Sequence, residues 1–199
     1  MTHLLADLYR QSLAGLRLLL VMTVLLGVGY PAAVWAAGQS FGDRADGQPV
    51  RLDGSVVGSR LIGQDFDGDQ WFHSRPSPNG YDTLASAPSN LGPSSPDLLA
   101  AIADRRAEVA AREGVDPADV PPDALTGSGS GLDPHISPAY AELQVARVAA
   151  ANGLSAGAVE RLVAEHTDGR SLGFLGEPGV DVLELNLAVR TAASGPGGD

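Results

Sequence analysis

Asp65, Asp67 and Asp69 alternate in the run DFDGD, the spacing with which a calcium loop begins. Such a loop continues with Gly at its sixth position and a bidentate Glu at its twelfth; Gln70 and Pro76 stand there, so the run reads as an acidic turn. Trp71, Phe72, His73 and Arg75 follow at once, and aromatics beside an Arg are the residue types that interfaces favour. The same aromatics also suit a loop pinned to its own core. Further on, Gly127, Ser128, Gly129, Ser130 and Gly131 form a Gly/Ser run able to turn backbone N–H groups toward a phosphate. It is not a Walker A sequence, because no Lys follows, and it lacks the spacing of a dinucleotide fingerprint. The next helix start, Ser137-Pro138, is too far on to lend its dipole. Asp133 and His135, with Ser128 or Ser130, supply the residue types of a hydrolytic triad. Groups so close in one loop rarely face one another, so a hydrogen-bonded turn is the simpler reading.

Composition narrows the chemistry. The chain has 199 residues, a net charge of −11 and no Cys. All 13 basic side chains are Arg, which excludes a P-loop lysine or a Schiff base. Without Cys there is no thiol catalysis, no Cys-bound metal and no disulfide. The acidic balance argues against a nucleic-acid partner. His3, His73 and His166 lie too far from His135 in sequence to suggest a metal site.

The residues that place these loops divide into an apolar segment and a domain. From Leu18 to Ala37 no side chain is charged, and about twenty such residues are what a helix needs to cross the hydrocarbon core. Arg10 and Arg17 precede the segment, a mild bias toward a cytoplasmic N-terminus. A cleaved signal peptide is the rival, with Gly29, Pro31 and the small residues Ala36 and Ala37; the long apolar run favours a retained anchor. The expected layout is a short cytoplasmic tail over 1–12, a transmembrane helix over 13–37 and a linker over 38–54. An α+β soluble domain over 55–191 and a disordered tail over 192–199 follow.

Within the domain, 55–66 predicts a strand, or two short ones separated by a bulge at Gly58. Residues 65–90 form a long irregular segment. Ser95-Pro96 and Ser137-Pro138 each open a helix, ended by Gly114 and Asn152-Gly153. The first carries Leu98, Leu99, Ile102, Val109 and Ala110 near one face. Ser155 caps a third helix; residues 171–176 predict a short strand. Asp181 to Glu184 reads as a capping box opening a last helix, although Leu183, Leu185, Leu187 and Val189 also alternate as in a strand.

Taken together, GSRLIGQDF (58–66), WFHSRPSPNGYD (71–82), SNLGPSSP (89–96), GSGSGLDPHISP (127–138), QVARVA (144–149) and LGEPGVDVLELNLAV (175–189), with Gly29-Tyr30-Pro31 in the apolar segment, resemble the KdpC family, a component of the bacterial Kdp-type potassium-transporting P-type ATPase. The similarity runs from about Gly15 to Arg190, with Gly179, Ser95 and Asp181 as small departures.

The resemblance implies a non-catalytic accessory subunit of a high-affinity, ATP-driven potassium importer in the cell membrane. It is needed for assembly and activity, and is described as a catalytic chaperone that raises the ATP affinity of the ATP-hydrolysing subunit. The implied partners are the channel-like potassium-binding subunit, the ATP-hydrolysing subunit, a very small single-helix subunit and membrane lipid. No cofactor is bound stably; ATP enters through the complex. The resemblance places the domain outside the cytoplasm, over the potassium-binding subunit, so any effect on ATP would be transmitted through the complex. Contact with partners is expected from Trp71, Phe72, His73, Arg75, Asp133 and His135. The alternatives are a nucleotide-binding module contacting ATP through Gly127, Ser128, Gly129, Ser130 and Gly131, and an anchored hydrolase using His135.

Overall fold

The computed structural model describes residues 2–195. The chain divides into two units at Gln48 and Pro49.

The first unit is helical from Thr2. Helix α1 spans Thr2–Val24, followed by a π-helical turn Leu25–Gly29 and helix α2, Tyr30–Gly38. The π turn has a local cause. Pro31 has no N–H, so the carbonyl of Gly27 loses its usual partner, and Tyr30 N–H bonds instead to the carbonyl of Leu25, five residues back. A 3-10 turn, Gln39–Arg44, ends the run. The stretch His3–Arg44 is long and apolar enough to cross a membrane, and its apolar window is fully exposed. Residues 2–12, within the segment expected as a tail, are helical, since neither Gly nor Pro interrupts Thr2 to Leu13.

The second unit begins with a hairpin of strands β1, Pro49–Leu52, and β2, Ser55–Ser59. Asp53 and Gly54 form its two-residue turn, both with positive φ (50° and 81°), the geometry that matches strand twist. The segment expected to be a linker thus ends in a strand. On β2, Val57 is the extra residue, so the expected bulge falls beside Gly58.

Helix α3, Pro96–Glu113, is capped by Ser95 and closed by Gly114 in the left-handed region. Its C-terminal half packs through Val109 and Ala110, with Ile102 at the edge; Leu99, expected on that face, is exposed. Two 3-10 turns, Pro117–Asp119 and Pro122–Ala124, lead through buried Val120 and Leu125. Strand β3, His135–Ile136, precedes helix α4, Pro138–Asn152, and helix α5, Ala156–Glu165; Ser137 and Ser155 cap the two helices.

Strands β4, Thr167–Asp168, and β5, Gly179–Asp181, complete an antiparallel sheet of order β3-β5-β4. The register pairs Ile136 and Thr167 with Val180. Between β4 and β5 the expected strand over 171–176 is a tight turn, because Gly173 and Gly176 take positive φ and reverse the chain. Helix α6, Val182–Ser194, confirms the helical reading of the C-terminal run. Val182, Leu185, Asn186 and Val189 are buried at helical spacing, whereas Leu187 is only half-buried. Asp181 caps it by accepting from Glu184 N–H, while the Glu184 carboxylate pairs with Arg60. Helix α6 enters the expected tail as far as Ser194; residues 196–199 lie outside the described residues. The result is an α+β domain whose core is Phe72, Ile136, Tyr140, Val148, Val159, Val180, Leu185 and Val189 with their neighbours.

Candidate functional site

Among the described residues, the irregular segment 65–90 is the longest stretch of the domain without helix or strand, and its backbone groups need partners. Side chains of α4 and α6 supply them. Phe72 N–H donates to Asn186 Oδ1 (2.8 Å), and Asn186 Nδ2 donates back to Phe72 O (3.0 Å). Gln144 repeats the pattern one residue on: it accepts from His73 N–H (2.7 Å) and donates to His73 O (3.2 Å). Arg147 donates to the carbonyls of Asp69 and Trp71, and Asn152 to that of Gln70. Residues 144, 147 and 152 fall near one face of α4, which aligns them along the loop. Two buried amides therefore imitate the rungs of a β-ladder, and Phe72 drops into the core at 0% exposure.

Arg147 is held by Glu113 at the end of α3. Its Nε reaches both carboxylate oxygens, at 3.1 and 2.9 Å, and Arg112 Nε adds a third bond at 3.1 Å. The Glu113 side chain is completely buried and Arg147 nearly so. His73 sits beside this cluster and donates Nε2–H to Gly68 O. Burial lowers its pKa from 6.5, and Arg112 and Arg147 push the same way. Burial raises Tyr140 to about 12.

Arg75 joins three segments. Its guanidinium pairs with Asp133 (2.9 Å) and donates to Thr126 O (3.2 Å) and Gly127 O (3.5 Å). Tyr81 donates its hydroxyl to Arg75 O; burial raises that phenol to about 12. The second oxygen of Asp133 accepts from His135 N–H at 3.0 Å, while the His135 ring stands 3.9 Å away and partly exposed. Arg75, Asp133 and His135 line an open cleft of about 450 Å³.

The Gly/Ser run packs against the same segment. A Cβ on Gly127 would meet Pro76 O at 3.0 Å, and one on Gly131 would meet Asn79 Oδ1 at 2.6 Å and Ala87 O at 3.0 Å. Gly131 N–H is bonded to Ser128 Oγ and Leu132 N–H to Ser130 Oγ. Ser77 Oγ holds Gly131 O, and Ser86 Oγ holds Ser130 O. Gly129 has open space around it. The glycines at the two ends thus permit close approach of two loops, and both serines bond to the backbone of their own turn.

The residues singled out from sequence therefore fall into two groups. Trp71, Phe72 and His73 belong to the docked loop. Arg75, Asp133 and His135 belong to the staple beside the Gly/Ser run. Phe72 is a core residue, so its ring is withheld from any partner; Trp71 stays half-buried, tilted against Phe66. Among the described residues no group of three or more His, Asp or Glu is placed to hold a metal ion. Glu113 and Arg112 escape sequence reading, because they lie in a charged run typical of a solvated helix face. Gln144 and Asn186 stand inside the quoted runs QVARVA and VLELNLAV, and their one signal is an amide within an apolar stretch.

Known proteins match this chain along almost its whole length. A chain described as a potassium-transporting ATPase KdpC subunit from Kineococcus radiotolerans is 63% identical over 195 residues, covering 97% of this chain and 100% of its own. Counterparts of the same description from Mycobacterium tuberculosis and Streptomyces avermitilis are 54% and 47% identical, covering 90% and 89% of this chain and 97% and 91% of their own. The family profile described as KdpC, the c chain of the K+-transporting ATPase, matches residues 12–191. With one apolar helix and a domain matched through both loops, the chain belongs to the KdpC family of potassium-transporting ATPase subunits.

Proposed function

We propose that this chain is the single-anchor assembly subunit of an ATP-driven potassium importer, with its α+β domain outside the cytoplasm. In this reading α1 and α2 hold it beside the potassium-binding, ATP-hydrolysing and small single-helix subunits, and catalysis resides in the ATP-hydrolysing one. The observation that carries the reading is how the candidate catalytic groups are spent. Asp133 pairs with Arg75, Ser128 and Ser130 bond to the backbone of their own turn, and the His135 ring stands 3.9 Å from Asp133, an arrangement that supports reading this face as a docking surface. Trp71, His73, Arg75, Asp133 and His135 mark its partner-facing side. Arg10 and Arg17 support a cytoplasmic N-terminus.

A role as a catalytic chaperone fits the same picture if the domain prefers one conformational state of the complex. Differential binding to two states changes ATP affinity without contact with ATP. Support for transmitted rather than direct action comes from the Gly/Ser run, where Gly131 and Leu132 N–H groups are already bonded to serine hydroxyls.

The test is co-expression of a tagged full chain with the other subunits in cells that depend on this importer at low potassium. The chain is expected to co-purify with the potassium-binding and ATP-hydrolysing subunits, and its omission to abolish both growth and recovery of the intact complex. ATP hydrolysis or saturable ATP binding by the purified chain alone would overturn the reading.

A further inference from the structure

Between β4 and β5 the chain forms a tongue whose tip is apolar and exposed. Leu172 is 83% exposed, Phe174 69% and Leu175 50%. Together they present on the order of 400 Å² of apolar surface, the scale of a functional patch. The tongue is built, not frayed. Leu175 N–H bonds to Ser171 O (2.9 Å), Gly173 N–H bonds to Arg170 O (3.0 Å), and an Arg170–Glu177 ion pair clamps the base. Leu172 takes a φ of +54°, where a side chain is strained, and its own side chain stands in solvent. A Gly there would relieve the strain; what the leucine adds is apolar surface.

Three occupants are chemically possible, and charge selects among them. The tongue borders the 450 Å³ cleft, where Asp133 is paired with Arg75 and Glu177 with Arg170, and Asp123 and Asp168 leave the rim net negative. Anionic lipid headgroups would be repelled by this rim and by the net charge of −11. A second copy meeting it through a two-fold axis would set carboxylates against carboxylates. The patch is also about half the roughly 800 Å² per partner that a stable contact needs, so it serves a partner already held close by a shared membrane. We infer that the tongue of Leu172, Phe174 and Leu175 plugs an apolar pocket, edged with Arg or Lys, on another subunit of the same membrane complex. The inference rests on the proposed assembly role.

The experiment places a photoreactive benzophenone side chain at Phe174 of the full chain, expressed with the whole complex. Irradiation is expected to give one adduct with another subunit of the complex, mapped by mass spectrometry to a pocket with a basic edge. Adducts confined to lipid or to a second copy, or an intact complex without an adduct, would overturn the tongue while leaving the assembly role standing. If the unmodified chain fails to co-purify with any ATPase subunit, both fall. A second variant, Leu172→Gly, separates docking from folding. The thermal midpoint of the full chain is expected to hold or rise, while the chain is lost from the purified complex at least about tenfold faster. A lowered midpoint, or unchanged retention, would contradict the assignment.

Discussion

Glu113 is the side chain on which the docking of loop 65–90 turns. It is buried, it anchors Arg147, and Arg147 in turn holds the carbonyls of Asp69 and Trp71. Glu113→Ala would leave Arg147 buried without its carboxylate, an arrangement that costs about 3–5 kcal/mol. Denaturant unfolding of the full chain in detergent is expected to show that loss, and a change below about 1 kcal/mol would contradict the network. His73 adds a pH dependence. Its lowered pKa means the folded state holds the neutral ring, so its contribution to stability is present above 6.5 and is lost as pH falls below it. Asp181, raised by burial, acts with the opposite sign from 3.8 upward, so the comparison must be between variants. His73→Gln is expected to remove the His73 part of the acid sensitivity, seen as a flatter thermal midpoint against pH below 6.5. Residue types such as Trp71 and Arg75 can be singled out from sequence, but Glu113 cannot. Its significance comes from α4, which lies more than one element away in the chain.

At the scale of elements, the Gly/Ser run behaves as a packed turn. Its glycines should then respond to substitution according to their neighbours. Gly131→Ala, with φ of +68° and a backbone carbonyl 3.0 Å from the new Cβ, is expected to cost roughly 1–3 kcal/mol. Gly129→Ala, in open space, is expected to be neutral in both stability and transport. A phosphate cradle would instead lose function at Gly129, which potassium-dependent growth and thermal unfolding together would reveal. Helices are legible in the sequence because Ser95, Ser137, Ser155 and Asp181 announce each start, and Gly114 and Gly153 close two of them. The sheet is not. Strands β3, β4 and β5 have two or three residues each, too few to display a period of two. The hairpin does carry a signal, Asp53-Gly54, hidden in a stretch whose Gly and Asp content also suits a linker. The docked loop is legible as long and irregular. Its attachment is not, since it depends on Gln144 and Asn186 meeting a backbone far away in sequence.

For the whole molecule, an exposed apolar helix and a separate acidic domain define the working parts. On the proposed extracytoplasmic side, a negative domain would raise the local potassium concentration, an effect that salt screens beyond about 8 Å at physiological strength. Neutralising exposed Asp and Glu residues is therefore expected to weaken apparent potassium affinity at low ionic strength and to have little effect at high salt. Unchanged affinity at low ionic strength would remove the electrostatic part of the account. The central claim is the side of the membrane on which the domain stands, because that decides whether this chain can touch ATP at all. The chain has no Cys, and Ser130 is exposed, so Ser130→Cys introduces its only thiol. Intact cells treated with a membrane-impermeant maleimide, beside permeabilised controls, read out the location of the Gly/Ser run. The account predicts labelling in intact cells, which leaves assembly and transmitted coupling as the means of action. Labelling only after permeabilisation would contradict it and put the domain on the side of the nucleotide.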